Sequence, residues 1–138
     1  NTDGATAPPS AEKAVIVYAD RDILVVNKRA GMAMYETYNH HGNALSNAVA
    51  AAGFDGPFRP IYRLDKDTSG LVVLARHQLS AAKLAGRVQK DYYAVVPGTY
   101  TGSGTVDAPI AHCPDSTVKR CVDPAGVRAV THWKALGQ

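Results

Sequence analysis

The chain has 138 residues, of which 46% are hydrophobic and 20% charged, and it carries a formal net charge of +3. This length and balance are typical of one globular domain, and no apolar run approaches the ~18 residues of a membrane helix. The first residues lack the basic and apolar regions of a signal peptide.

The first part of the sequence predicts a leader, a β-hairpin and a helix. Residues 1–13 are small and polar, which favours a disordered leader or a linker from a preceding domain. The folded part is then residues 14–138. Two β-rich runs, residues 14–18 and 23–27, are separated by a short polar turn, as in a hairpin. Residues 44–52 predict a short helix that ends before a glycine.

A polar turn between two apolar stretches is the most informative feature of the sequence. Residues 61–64 lead into it, and five successive apolar residues at 71–75 lead out as a buried strand. The turn carries Asp65, and reactive side chains are common on short loops held by core strands. Asp65 is equally suited to cap the turn through a hydrogen bond to the backbone. Asp67 is a rival carboxylate two positions further on.

The remaining sequence predicts one more helix and several short strands. The helix spans residues 79–89, and its predicted core-facing residues are Leu79, Ala82, Leu84 or Ala85, and Val88. The strands are expected at 92–96 and near 106–110, 118–122 and 127–135. Strands interrupted by only two helices indicate an α+β fold with a mixed, largely antiparallel sheet.

Charge and cysteine positions are less specific. Residues 1–56 carry four Lys and Arg against six Asp and Glu, whereas residues 57–138 carry eleven against six. The basic second half contains the polar turn, and a modest basic face suits a phosphate backbone. Cys113 and Cys121 match no compact metal-ligand spacing, so we expect buried or loop thiols.

The turn sequence YRLDKDTSGL, residues 62–71, resembles the His-Arg-Leu-Asp-x-x-Thr-Ser-Gly-Leu signature of the RluA family of RNA pseudouridine synthases. Residues 23–34 resemble the family's N-terminal strand and its Asn-Lys-Pro-x-Gly turn. Residues 90–98 resemble its Lys-x-Tyr-x-Ala segment, and residues 129–133 resemble the Ala-x-Thr strand that follows. The similarity is colinear over roughly residues 14–136.

This resemblance implies an RNA uridine isomerase that uses neither a cofactor nor a metal and that acts on ribosomal or transfer RNA in the cytoplasm. Asp65 is then the catalytic carboxylate, and Asp67 has a structural place in the turn. Arg63 of the motif faces RNA in the family, where it can stack or hold a phosphate. Tyr92 is expected to stack on the flipped uracil, which assigns its neighbour Tyr93 to the core.

Three further residues complete the expected RNA-contacting set. Thr68 shapes the loop beside Asp65. Lys28 and Lys90 are candidate phosphate contacts, although either one alone is more simply a solvated charge.

The sequence also departs from the family pattern. Tyr62 stands where the family has His, and Arg29 stands where it has Pro. The family's third catalytic segment, Gly-Arg-x-His-Gln-Ile-Arg, is not found after the Ala-x-Thr strand. We therefore expect the N-terminal portion of a catalytic domain, which is inactive on its own.

Two other functions stay open at this point. A non-catalytic RNA-binding fragment would keep the same motifs without the complete active site. A small metal-dependent hydrolase that uses Asp65 or Asp67 would need more carboxylate or His ligands than the turn region offers.

Overall fold

The computed structural model describes residues 12–36 and 42–137. Most of the leader predicted for residues 1–13 therefore lies outside the described residues. The chain divides into two compact units, Asn1–Asp91 and Tyr92–Gln138. In chain order the elements are β1 (Val15–Ala19), β2 (Ile23–Lys28), α1 (Leu45–Ala51), β3 (Gly70–Ala75), α2 (Gln78–Leu84), β4 (Ser103–Asp107), β5 (Ile110–His112), β6 (Arg120–Val122) and β7 (Val130–Lys134).

The first unit is built on a three-stranded antiparallel sheet in the order β1-β2-β3. The predicted hairpin of β1 and β2 is confirmed, with a bulge between Ile16 and Tyr18. Central strand β2 pairs through Val26 with Ile16 on one side and with Val72 on the other. Because side chains alternate along a strand, every second residue of β2 enters the core, beginning with Leu24 and Val26.

Helix α1 covers the inner face of this sheet, as the sequence predicts. Its residues Leu45, Ala48 and Val49 are buried in one cluster with the apolar residues of β2 and β3. The Ala48 carbonyl also accepts a hydrogen bond from the Ala14 N–H at 2.9 Å, which fixes the start of the hairpin against the helix. The core of the first unit therefore supports β3, the strand that follows the polar turn.

Helix α2 differs from its prediction in both length and orientation. It ends at Leu84 rather than near residue 89, because Gly86 adopts a left-handed backbone conformation, with a φ of +69°, that ends helices. Leu79, expected in the core, is 61% exposed, and Ser80 is buried instead. The cause is the N-cap, since the Ser80 N–H donates to the His77 ring at 3.4 Å and turns Ser80 inward.

The second unit contains two small antiparallel sheets, β4 with β7 and β5 with β6. The strand predicted near 106–110 is divided between β4 and β5. Cys113 and Cys121 are free and partly buried. A hydrogen bond from Cys113 raises the pKa of the Cys121 thiol, with smaller contributions from burial and from the Cys113 and Asp123 charges.

The strand predicted at residues 92–96 is not formed, and the assignment of Tyr93 to the core is wrong. Tyr93 is 91% exposed, and Val95 is fully exposed. A strand is stabilised by backbone bonds to a neighbour, and no strand of the described chain pairs with residues 92–96. The α+β class with a largely antiparallel sheet is confirmed, since the observed strand pairs are antiparallel.

Candidate active site around Asp65

Asp65 begins a tight turn that connects the core to β3. The Thr68 N–H donates to the Asp65 carbonyl at 3.1 Å, which closes a four-residue turn. Leu64, directly before Asp65, is buried and anchors the turn in the core. At its far end Gly70 has a φ of +135°, a value that favours glycine, and starts β3. The turn therefore presents Asp65 outward from two fixed ends.

The segment that leads into the turn lies antiparallel beside β3. The Ala75 N–H donates to the Arg59 carbonyl at 2.8 Å, and the Ile61 N–H donates to the Val73 carbonyl at 2.9 Å. The next acceptor along β3, the Leu71 carbonyl, binds the Tyr62 hydroxyl at 2.9 Å. A side-chain hydrogen bond thus joins the two ends of the loop that carries Asp65.

Lys28, the last residue of β2, braces the turn from inside. Its ammonium donates to the carbonyls of Met32 at 2.8 Å, Lys66 at 2.9 Å and Arg29 at 3.1 Å. The Lys28 side chain is fully buried. Desolvation lowers the pKa of Lys28, while the nearby carboxylates Asp67 and Asp65 act in the opposite direction. The cation therefore joins the turn after β2 to the tip of the Asp65 turn.

The Asp65 carboxylate itself is exposed. Within residues 12–36 and 42–137 it accepts no hydrogen bond, since the turn bond uses its backbone carbonyl. The alternative in which the Asp65 side chain caps the turn is thus not what holds the turn closed. An exposed, ionisable carboxylate on a braced turn is suited to act as a nucleophile or a general base.

Basic and aromatic side chains interact within the first unit, some of them on the segment that leads into the Asp65 turn. Arg63 is exposed one position before Leu64. Tyr35 packs edge-on against Phe58 with ring centroids 5.3 Å apart. Burial raises the pKa of Tyr35, and the Arg63 charge partly counteracts it. The Lys90 ammonium lies 4.8 Å from the centre of the Tyr62 ring.

The structure places Asp65, Arg63 and Thr68 on one loop, as the sequence predicts. The prediction of a phosphate contact for Lys28 is wrong for this conformation, because its ammonium is buried and is bonded to three carbonyls. Tyr92 belongs to the second unit, where its side chain is 57% exposed. Its role at the uracil, like that of Lys90 at a phosphate, stays a prediction.

Sequence reasoning missed the internal bracing of the loop. Lys28 continues the alternation of buried residues Leu24 and Val26 along β2, and this period of two was the available signal for its burial. The bond from Tyr62 to Leu71 has no such local signal. Arg29, at the position of the family's Pro, forms a two-point ion pair with Glu12, with N–O distances of 2.8 and 2.9 Å.

Two features are absent from the residues that the structure describes, a cluster of metal ligands and a membrane-spanning helix. No group of three or more His, Cys, Asp or Glu side chains is arranged there to hold a metal ion. None of the helices in residues 12–36 and 42–137 has the length and apolar character needed to cross a membrane.

Known proteins are similar to this chain in sequence. The family described as RNA pseudouridylate synthase matches residues 22–138. An uncharacterized RNA pseudouridine synthase of Bacillus subtilis, YjbO, is 37% identical over 86% of this chain. The ribosomal large subunit pseudouridine synthase D of Zymomonas mobilis is 37% identical over 88% of it. The chain spans 45% and 43% of the length of these two relatives.

Solved structures agree in fold. Human RNA pseudouridylate synthase domain containing 1 superposes with a TM-score of 0.55 at 20% identity and covers 91% of this chain and 51% of its own. Human RNA pseudouridylate synthase domain containing 4 gives a TM-score of 0.56 at 19% identity. With the family match over residues 22–138 and the sequence relatives, this chain belongs to the RNA pseudouridylate synthase family.

Proposed function

We propose that the protein containing this chain isomerises uridines of ribosomal RNA to pseudouridine, with Asp65 as the catalytic carboxylate. The observation that supports this role best is the exposed Asp65 carboxylate on a turn held by Lys28 and Tyr62. Ribosomal RNA is preferred over transfer RNA because several relatives are named for the ribosomal large subunit. A cytoplasmic location is part of the same proposal.

The chemistry needs few groups. The N1–C1′ bond of uridine breaks, the base rotates, C5 bonds to C1′, and the proton leaving C5 is balanced by one gained at N1. Atoms and electrons balance without an oxidant, a reductant or a cofactor. Asp65 acts as a nucleophile on the ring or sugar, or as a base that removes a sugar proton.

Access to the uridine requires that the base leave the RNA stack. Arg63, exposed beside the Asp65 turn, is suited to fill the vacated space or to bind a phosphate. Thr68 closes the turn through its backbone N–H. Tyr92 is proposed to stack on the extruded uracil, which is worth about 1–3 kcal/mol per base in other proteins.

The test compares Asp65→Asn with Asp67→Asn in the complete protein. Both variants remove one exposed carboxylate from the same turn and keep the shape of the side chain. Tritium release from uridine C5 is measured on ribosomal RNA transcribed in vitro. We expect no release with Asp65→Asn and most of the wild-type rate with Asp67→Asn. Near-normal release from Asp65→Asn would remove Asp65 from the mechanism.

A further inference from the structure

We propose that Tyr62 is a positioning residue for Asp65, and that Lys90 holds its ring in place. This inference rests on the proposed function of Asp65. It concerns a position where the chain departs from the His of the family motif. The observations that carry it are the bond from the Tyr62 hydroxyl to Leu71 and the Lys90 ammonium over the Tyr62 ring.

The Tyr62 hydroxyl occupies a defined place in the sheet. The segment before the turn and β3 are joined by two backbone hydrogen bonds, from Ala75 to the Arg59 carbonyl and from Ile61 to the Val73 carbonyl. These bonds involve every second residue of each strand. An antiparallel ladder would continue with a bond from the Arg63 N–H to the Leu71 carbonyl. The Tyr62 hydroxyl takes that carbonyl instead, at 2.9 Å. The ladder therefore ends one step early, and the backbone is released toward Asp65 at a fixed point.

The bond from the Tyr62 hydroxyl to the Leu71 carbonyl sets where the loop begins. Between Tyr62 and Leu71 the chain must leave the sheet, form the Asp65 turn and return through Gly70. The hydroxyl bond joins the two sides of this loop at its base. Lys28 holds the tip through the Lys66 carbonyl. Asp65 lies between these two attachments, so its position depends on both.

Lys90 completes the arrangement from outside. Its ammonium lies 4.8 Å from the centre of the Tyr62 ring, a distance at which a cation is attracted to an aromatic face. The ring also packs against the buried core cluster. With the core, a cation and the Leu71 carbonyl as partners, Tyr62 serves the loop rather than the RNA.

The experiment uses Tyr62→Phe in the complete protein, with Tyr18→Phe as the matched control. Tyr18 also loses one hydroxyl bond, to Asp20, on exposed strand β1. Single-turnover tritium release and RNA affinity are measured on ribosomal RNA transcripts. We expect Tyr62→Phe to reduce the rate about fivefold, the effect of one lost hydrogen bond, with unchanged RNA affinity. Tyr18→Phe should change neither quantity.

A second measurement separates this inference from the proposed function. Amide hydrogen exchange at residues 64–69 should be faster in Tyr62→Phe than in the wild type, whatever the RNA activity. Lys90→Gln should give the same change in smaller degree, and Lys90→Arg should restore slow exchange. Unchanged exchange and rate in Tyr62→Phe would overturn the inference, as would lost RNA affinity with an unchanged rate. A wild-type protein without isomerase activity would overturn the proposed function alone.

Discussion

At Lys28 the burial pattern of strand β2 conflicts with the charge of the side chain. The alternation of β2 places this position in the core, and a charged ammonium lies there in place of an apolar side chain. Three backbone carbonyls compensate for its lost hydration. Because these carbonyls belong to two different turns, one buried cation links both.

Replacing Lys28 should destabilise the first unit. Lys28→Met keeps the volume of the side chain but leaves the Met32 and Lys66 carbonyls without their donor. We expect a loss of about 2–3 kcal/mol in the free energy of unfolding, measured by urea denaturation. Lys83→Met, on the exposed side of α2, is the control and should cost little. Equal losses in the two variants would contradict the bracing role.

The buried ammonium should also leave a signature in the pH dependence of stability. Burial lowers the pKa of Lys28 in the folded chain, so the unfolded chain keeps this proton to higher pH. The unfolding free energy contributed by this group therefore rises as the pH approaches the ordinary lysine pKa of about 10.4. Wild type should show this rise relative to Lys28→Met in denaturation curves at neutral and alkaline pH. A constant difference across the range would show that the pKa of Lys28 is not lowered.

Among the secondary elements, the start of β5 lies against a glycine that follows β6. The turn from Asp123 to Gly126 brings Val127 back beside Ile110, and two backbone bonds of 2.9 Å join them. A Cβ atom on Gly126 would lie 2.5 Å from the carbonyl carbon of Ile110. Backbone cannot move aside as a side chain does, so this contact allows no larger residue.

Gly126→Ala should therefore loosen the second unit. We expect a loss of about 2 kcal/mol in stability, with faster amide exchange at Ile110 and Val127. Gly137→Ala, whose added Cβ meets nothing within 4 Å, is the control. If Ile110 and Val127 exchange at wild-type rates in Gly126→Ala, the close approach of Gly126 does not hold Val127 beside β5.

The elements that sequence predicts well are those with local causes. The hairpin of β1 and β2 and helix α1 follow from apolar alternation and a terminal glycine. The orientation of α2 depends on the His77 cap, and the exposure of Tyr93 depends on the lack of a neighbouring strand in the described chain. The cap is a local bond made by a residue that is not among the usual N-caps, whereas the missing neighbour of Tyr93 is a property of the tertiary structure that a single segment does not encode.

The candidate site also has features that the sequence predicts and contacts that it does not. The motif alone predicts Asp65, Arg63 and Thr68 as site residues, because they follow one another along one loop. The bond from Lys28 to Lys66 joins residues 38 positions apart, and the bond from Tyr62 to Leu71 joins the two ends of the loop. Their partners are backbone carbonyls, which every residue carries, so residue identity gives no signal for them.

At the scale of the whole molecule, the exposed residues 92–96 bear on the activity expected of residues 1–138 when they are expressed alone. Tyr93 and Val95 expose large apolar surfaces, which in a stable protein are normally covered. The relatives are also more than twice as long as the segment matched here. We expect that a complete active site needs further residues that cover this segment.

Residues 1–138 expressed alone should accordingly lack isomerase activity. Tritium release is compared between this fragment and the complete gene product on the same ribosomal RNA transcripts. The fragment should also bind RNA weakly and with strong salt dependence, since backbone contacts would dominate. Comparable turnover from both proteins would show that the Asp65 loop and its surroundings in this chain are sufficient for catalysis.

The pairing of β2 with β3 also has a consequence for the order of folding. β1 and β2 are neighbours in sequence, so their hairpin is able to form early in synthesis. Lys28 pairs with Gly70 of β3, and Gly70 leaves the ribosome much later than the β1–β2 hairpin does. Until then the second edge of β2 is open, and the Lys28 ammonium keeps its water. The charge then disfavours premature association of that edge with other chains, and it is dehydrated only when the loop that supplies the Lys66 carbonyl arrives.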